Sequence, residues 1–189
     1  VKYTVVGDPH CKPNNLEKIA RLFTEVEAMG NPVIWLGDFL DTKEVIRGKC
    51  LNMLFQCLRQ SELDHTILEG NHDWFNLDCQ EHSLTPLKTL ENVVVVDEPI
   101  VLEDIAFIPY IHDDAKLKNV IGKIPKGHTL FGHLELSDFD FGNGHICTDG
   151  MDLKTFSKFH KVISGHFHKH QEKGNLLYLG TPFSHSFGE

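Results

Sequence analysis

The chain has 189 residues, of which 41% are hydrophobic and 24% charged, proportions that suit one globular domain with a sizeable core and argue against disorder. Its net charge is −9, with only three arginines among 18 basic residues, so bulk charge does not mark a protein that grips duplex nucleic acid unaided. No apolar run approaches the length of a bilayer span, the N-terminus opens on a polar-flanked strand rather than a signal peptide, and five unpaired-looking cysteines (Cys11, Cys50, Cys57, Cys79, Cys147) fit free thiols; a cytoplasmic protein without membrane contact is expected.

Taken in chain order, residues 2–6 read as a buried strand, and Asn15 to Met29 as an amphipathic helix on the spacing of Leu16, Ile19, Leu22, Phe23 and Val26, stopped by Gly30. PVIWLGD forms a second strand. A helix near residues 44–60 should follow, with Val45, Leu51, Leu54, Phe55 and Leu58 toward the core. HTILEGN, VVVV at 93–96 and IAFIPY at 105–110 supply further strands. The second half is richer in strands: TLFGH, KVISGHFH, and NLLYLGTP at the sheet edge, with Lys173, Gly174 and Asn175 as turn residues before it. Ser137 to Asp152 reads as a long loop bordering a substrate groove. The pattern is α/β, and residues 1–189 read as one domain.

Five clusters of metal-type residues close these strands, each behind a glycine: Asp8 and His10 in GDPH, Asp38 in GDFLD, Asn71 and His72 in GNHD, His133 in GHLE, and His166 with His168 in GHFH. Glycine lets the backbone turn sharply and approach a ligand closely. Any one of these residues has an ordinary reading as a turn cap or a hydrogen-bonded core histidine, but those readings give no reason for the recurrence at strand tips. Carboxylate, imidazole and amide donors without thiolate suit a pair of divalent ions, manganese first, with iron or zinc as alternatives. Such a pair activates a water and clamps both oxygens of an in-line displacement at phosphorus.

In this order the series DxH, GDxxD, GNHD, H and GHxH resembles the calcineurin-like metallophosphoesterase superfamily. The resemblance implies a four-layer αββα sandwich with a dimetal site at the strand tips between two sheets. It implies that Asp8, His10, Asp38 and His168 hold one ion, that Asp38, Asn71, His133 and His166 hold the other, and that a hydroxide between the ions is the nucleophile. His72, beside Asn71, is expected to act as general acid toward the leaving oxygen. Asp73 either orients that imidazole or caps the next segment. Of the remaining histidines, His170 and His185 are the candidates for lining the site.

GDFLDTKEV lacks the arginine that follows this motif in phosphoprotein phosphatases, and with less means of gripping a dianion, a diester is the expected substrate. Lys43, Arg47 and Lys49 beyond it form either a phosphate-facing patch or solvated surface charges. Gly180, Thr181, Pro182, Ser186, Phe187 and Glu189 resemble the closing segment of SbcD-type DNA repair and recombination nucleases, with the phage-encoded subunits most alike. That likeness implies a DNA exo/endonuclease subunit, an SbcC-like ATPase partner, a homodimer in the full complex, action in the cytoplasm of a phage-infected host, and a chain that is the catalytic part of a longer protein. A small-molecule phosphodiesterase or nucleotide phosphatase is the alternative enzyme, and a binding module with a decayed metal site the alternative outside enzymes.

Overall fold

In a computed structural model describing residues 1–76, 81–142 and 144–184, apolar residues alternate along each central strand and separate the core into three slabs. In β2 (Val33–Trp35), Val33 and Trp35 turn one way and Ile34 the other. In β6 (Ile105–Ile108), Ala106 and Ile108 are divided in the same manner from Phe107. This period of two is intrinsic to a strand, and apolar residues on both faces require cover on both sides.

The first sheet runs β1-β2-β3-β4, all parallel, adding β1 (Thr4–Val6), β3 (His65–Leu68) and β4 (Val93–Val96). Its outer face packs on α1 (Leu16–Met29) and α2 (Gly48–Gln60) through Trp35, Ile67, Val93 and Val95 against Ile19, Phe23, Leu54 and Leu58. The second sheet runs β5-β6-β7-β8-β10-β9 and is mixed. It adds β5 (Ile100–Val101), β7 (Thr129–His133), β8 (Lys161–Gly165), β9 (Gln171–Lys173) and β10 (Leu176–Tyr178). Leu130, Val162 and Leu176 face α3 (Asp114–Lys123), which supplies Leu117 and Ile121. Between the sheets lie Ile34, Leu36, Leu68, Val96, Phe107 and Phe131. The result is the expected αββα sandwich.

Local signals account for most boundaries. Gly30 takes the left-handed conformation at φ 65° and its N–H bonds Glu27 O, ending α1 as expected. Asn15 is the cap residue rather than the first helical one, and its buried side chain accepts from Lys12 N–H and donates to His10 O, tying α1 to the first motif. Gly174, at φ 60°, makes the two-residue turn between β9 and β10.

Two expectations need correction. The second helix begins at Gly48, not near residue 44, because Glu44 sits at φ 63° and breaks the helical path; Val45 is consequently 57% exposed and off the core. NLLYLGTP is not the sheet edge: β10 lies between β8, which it joins in parallel, and the hairpin partner β9. The described residues of 137–152 form a long loop, as expected, and a packed one: Leu136 bridges Met151, Asp140 bridges Ile146, and Phe139, Cys147 and Met151 are buried. Helix α3 was not anticipated, although Asp113 caps it by accepting from Ala115 and Lys116 N–H. Cys11, Cys50, Cys57 and Cys147 are free thiols, and Cys79 lies outside the described residues. No helix among the described residues is long and apolar enough to cross a membrane.

Candidate metal centre

The two sheets bring all of the predicted ligand positions to one place. Asp8 and His10 follow β1, Asp38 follows β2, Asn71 and His72 follow β3, His133 ends β7, and His166 and His168 follow β8. Asp8, His10 and Asp38 are buried, as is His133. Ligand atoms of Asp8, His10 and His168 lie within 4.8 Å of one another, as do those of Asp8, Asp38 and His133. His10, Asp38 and His72 make a third such group, so His72 reaches the cluster as well.

The backbone is unusual at three of these positions: His10 at φ 42°, Asp38 at φ 47° and His166 at φ 92°. Positive φ costs a non-glycine residue on the order of 1–3 kcal/mol and persists where surrounding structure enforces it. Here His10 N–H bonds Asp38 O, and His166 N–H donates to Asp8 Oδ2 at 2.7 Å, so the strained turns hold one another. The glycines matter through close approach. A Cβ on Gly70 would fall 2.2 Å from Asp38 N and Oδ1, and one on Gly165 would fall 2.2 Å from Asp8 Oδ1.

Hydrogen bonding fixes which imidazole nitrogen faces inward. His133 Nδ1 lies 2.8 Å from Leu36 O, and a carbonyl can only accept, so the proton sits there and Nε2 presents its lone pair. That lone pair faces Asn71 Oδ1 at 3.0 Å and Asp38 Oδ1 at 3.5 Å. His166 is arranged alike: Nε2 faces Glu135 Oε2 at 3.5 Å, leaving Nδ1 directed at Asn71 Oδ1, 3.0 Å away. Several electron-pair donors thus converge, an arrangement that suits a divalent cation. On the other side, His10 Nε2 lies 3.0 Å from His168 Nε2 and 3.6 Å from Asp38 Oδ2, while Asp41 Oδ1 stands 3.7 Å from His10 Nδ1. The residues present fit two ions of oxygen and nitrogen preference.

Electrostatics agree. Burial, then the neighbouring Asp38 charge, pushes the Asp8 carboxyl well above its ordinary value. Burial would raise Asp38 too, but His133, His10 and His72 outweigh it and hold it low, at about 2. Burial holds His133 down at about 4, the neutral state a ligand needs. Burial also pushes the Cys11 thiol up, consistent with a packing residue in the core beside the site.

His72 N–H donates to Asp38 Oδ1 and its Nδ1 lies 2.8 Å from Asp41 O, which leaves Nε2 as the atom available to the site. Asp73 does not orient this imidazole. Its buried carboxylate accepts from the backbone N–H of Phe39, Leu40 and Gly70 and so clamps the second motif to the third. His170 is exposed and faces Leu179 O, away from a ligand role; His185 lies outside the described residues. Lys43, Arg47 and Lys49 are exposed. In the closing segment Thr181 N–H bonds His168 O and supports the last motif, while Ser186, Phe187 and Glu189 lie outside the described residues.

Sequence reasoning missed Glu135, Asp41 and Tyr110. Glu135 stands two residues beyond His133 in GHLE, and Asp41 is the second acid of GDFLD, so each was visible as a motif member without a partner. Tyr110 stacks on His166 with centroids 5.8 Å apart and meets His133 edge-on at 5.9 Å. Asp149 and Gly150 of the 137–152 segment line a cavity with His133, Leu134 and Glu135, so that segment does border the site.

A family profile described as calcineurin-like phosphoesterase matches residues 1–170. The chain is 28% identical over 213 residues to the putative phosphoesterase 244L of Invertebrate iridescent virus 6, covering 100% of this chain and 72% of that protein. It is 29% identical over 168 residues to exonuclease subunit 1 of Enterobacteria phage T4, covering 82% of this chain and 49% of that protein, so it spans about half the phage relative's length. With the profile matched over most of its length and the motif residues gathered at one set of strand tips, the chain belongs to the calcineurin-like phosphoesterase family, hydrolases of phosphoester bonds.

Proposed function

We propose that this domain is a dimetal-dependent DNA phosphodiesterase, the nuclease subunit of a recombination or repair assembly. One observation carries the dimetal reading: the Asp38 carboxylate lies between two imidazoles, Oδ1 3.5 Å from His133 Nε2 and Oδ2 3.6 Å from His10 Nε2, and so stands between the two sets of residues that would hold the ions. Asp8, His10, Asp38 and His168 would hold one ion; Asp38, Asn71, His133 and His166 would hold the other. Manganese suits the donors best, with iron or zinc as alternatives. When bound, the ions supply charge neutralisation at phosphorus and an activated water.

The protein's own part is positioning. Leu36 O and Glu135 orient the rings of His133 and His166, and the Asp41 carboxylate stands 3.7 Å from His10 Nδ1. His72, with Nδ1–H donating to Asp41 O, would pass a proton from Nε2 to the departing oxygen when both ring nitrogens are protonated. The diester preference rests on the residue after GDFLD being Thr42 rather than arginine. DNA as substrate, an SbcC-like ATPase partner, a homodimer in the assembly and a host-cytoplasmic setting rest on likeness to the SbcD-type nucleases and to the phage exonuclease subunit 1.

The test is hydrolysis of end-labelled single- and double-stranded DNA with manganese, beside bis-p-nitrophenyl phosphate and elemental analysis. Two ions per chain with chelator-sensitive DNA cleavage is the expected result. Hydrolysis of the small diester alone would favour a small-molecule phosphodiesterase, and two bound ions without hydrolysis of either would overturn the enzyme reading.

A further inference from the structure

The loop 137–152 is braced from its base to its tip, yet it leaves two apolar side chains outside. Asp138 N–H bonds Cys147 O and Cys147 N–H bonds Phe139 O, both at 2.8 Å. At the tip, Asp140 Oδ1 takes the N–H groups of Gly142 and Gly144 at 2.9 and 2.8 Å, and Oδ2 takes Lys169 Nζ at 2.9 Å. Gln171 in β9 holds the same residue, its Oε1 accepting from Asp140 N–H and its Nε2 donating to Asp140 O. A turn tied down by its own aspartate and by a neighbouring strand presents its remaining side chains in a fixed direction. Among these are Phe141, 39% exposed, and Ile146, 50% exposed.

The place of the tip gives this exposure a meaning. Phe141 meets the Phe167 ring edge-on with centroids 4.9 Å apart, and Phe167, between His166 and His168 in the chain, lies 5.2 Å from the His166 ring. At the far end of the loop, Asp149 and Gly150 line the cavity that His133 also lines. The loop therefore borders the metal centre, and its exposed ring is one aromatic side chain removed from a proposed ligand. Occupants differ in what they need from such a surface. A stable protein partner would need about 800 Å² on each side, far more than one phenylalanine and one isoleucine on a narrow turn present. A phosphate would need a cation, and Lys169, the one bonded at the tip, is already paired with Asp140. An unpaired nucleobase needs only an apolar aromatic face near the diester, and such stacking tolerates any sequence because every base has a π face.

We propose that Phe141 is a base-stacking residue, which receives an unpaired nucleobase of the DNA strand whose phosphodiester lies in the metal centre. This rests on the DNA phosphodiesterase reading and deepens it: a base that must leave its helix to stack on Phe141 favours single-stranded or frayed DNA over paired duplex, without preference among the four bases.

Binding measured without hydrolysis separates the two readings. In the chelator-treated full chain, Phe141→Ala should weaken binding of fluorescein-labelled oligothymidylate at least ~5-fold by anisotropy, the lower end of what one base–aromatic stack contributes. Phe141→Leu, which keeps an apolar side chain against Phe167 but has no π face, should weaken it alike and guards against loss of the fold. Phe141→Trp should retain affinity. Because Trp35 and Trp74 are buried, its added indole is the one open to quenching; oligothymidylate should quench it, and an abasic oligomer of the same length and charge should not. With manganese, Phe141→Ala should lower kcat/KM on single-stranded DNA at least ~5-fold, leaving bound metal and hydrolysis of bis-p-nitrophenyl phosphate, which has no neighbouring nucleotide, unchanged. Equal binding by wild type, Phe141→Ala and Phe141→Leu, equal quenching by the abasic oligomer, or a wild-type chain that does not bind oligothymidylate overturns the stacking role, whether or not DNA is cleaved. Base-dependent quenching and binding in a chain that hydrolyses no diester would leave the stacking role standing and refute the phosphodiesterase reading.

Discussion

Gly70→Ala is the most direct test of how closely the strand-tip turns must approach one another. The added Cβ would lie 2.2 Å from both Asp38 N and Asp38 Oδ1, and since ordinary van der Waals contact begins near 3.4 Å, something must move by roughly 1 Å. The backbone of Asp38 cannot yield cheaply, because Asp38 O is bonded by His10 N–H and its Oδ1 by His72 N–H. Overpacking of this kind costs about 1–3 kcal/mol of stability. Misplacement of a reacting constellation by ~1 Å costs on the order of 10²-fold in rate. Gly122→Ala is the matched control, since a Cβ there meets nothing within 4 Å and the residue sits inside α3; it should raise stability by up to ~1 kcal/mol. Urea unfolding, bound manganese and diester hydrolysis, measured for both variants, give the comparison. If Gly70→Ala unfolds cooperatively with wild-type stability, binds two ions and retains rate within a few-fold, close approach at Gly70 does not position Asp38 and the argument fails.

His72→Ala should retain both ions and lose about 10²–10⁴-fold on DNA but much less on bis-p-nitrophenyl phosphate, whose leaving group needs little protonation, whereas Asn71→Ala should lose or weaken one ion; metal loss in His72→Ala would make His72 a ligand. Asp73→Ala strands three buried backbone N–H groups, each worth about 1–3 kcal/mol, so chemical denaturation should show a loss of at least ~3 kcal/mol, and a loss under ~1 kcal/mol would refute the clamp. His65 is held down at about 4, chiefly by burial. Trp35 N–H faces its Nδ1 and Ser61 its Nε2, so a proton at Nδ1 would meet a donor. The unfolded chain therefore takes up that proton first, and stability present above pH ~6.5 should fall by up to ~3 kcal/mol as pH drops toward 4. His65→Gln should flatten that slope relative to wild type in urea titrations at pH 7.5, 5.5 and 4.5, and an unchanged slope would assign it to other groups.

The sequence by itself determined the phosphoesterase family and the residue types gathered at the candidate site, because both are written in short segments. A glycine, a metal-type side chain and the end of an apolar run are all within a few residues of each other at Asp8, Asp38, Asn71, His133 and His166, and turn propensity there is local. The four-layer αββα sandwich was implied by the resemblance of the motif series, and the burial of both faces of β2 and β6 agrees with it. What local pattern could not carry was pairing between distant segments. Residues 135 and 166 became partners only when β7 and β8 paired with Gly132 opposite Ser164, and one residue of slip would have turned Glu135 to the other face. Asp73 read in sequence as orienting His72 or as capping the next segment, and the approach of the second motif gave it a different task, accepting from the backbone N–H groups of Phe39, Leu40 and Gly70. NLLYLGTP reads as an edge strand by its place near the end of the segment, yet the β9 hairpin shields it and makes β10 internal. Side-chain type and turn chemistry are properties of neighbours along the chain, whereas register, sheet order and the partner of a buried charge arise from contacts that close over many tens of residues.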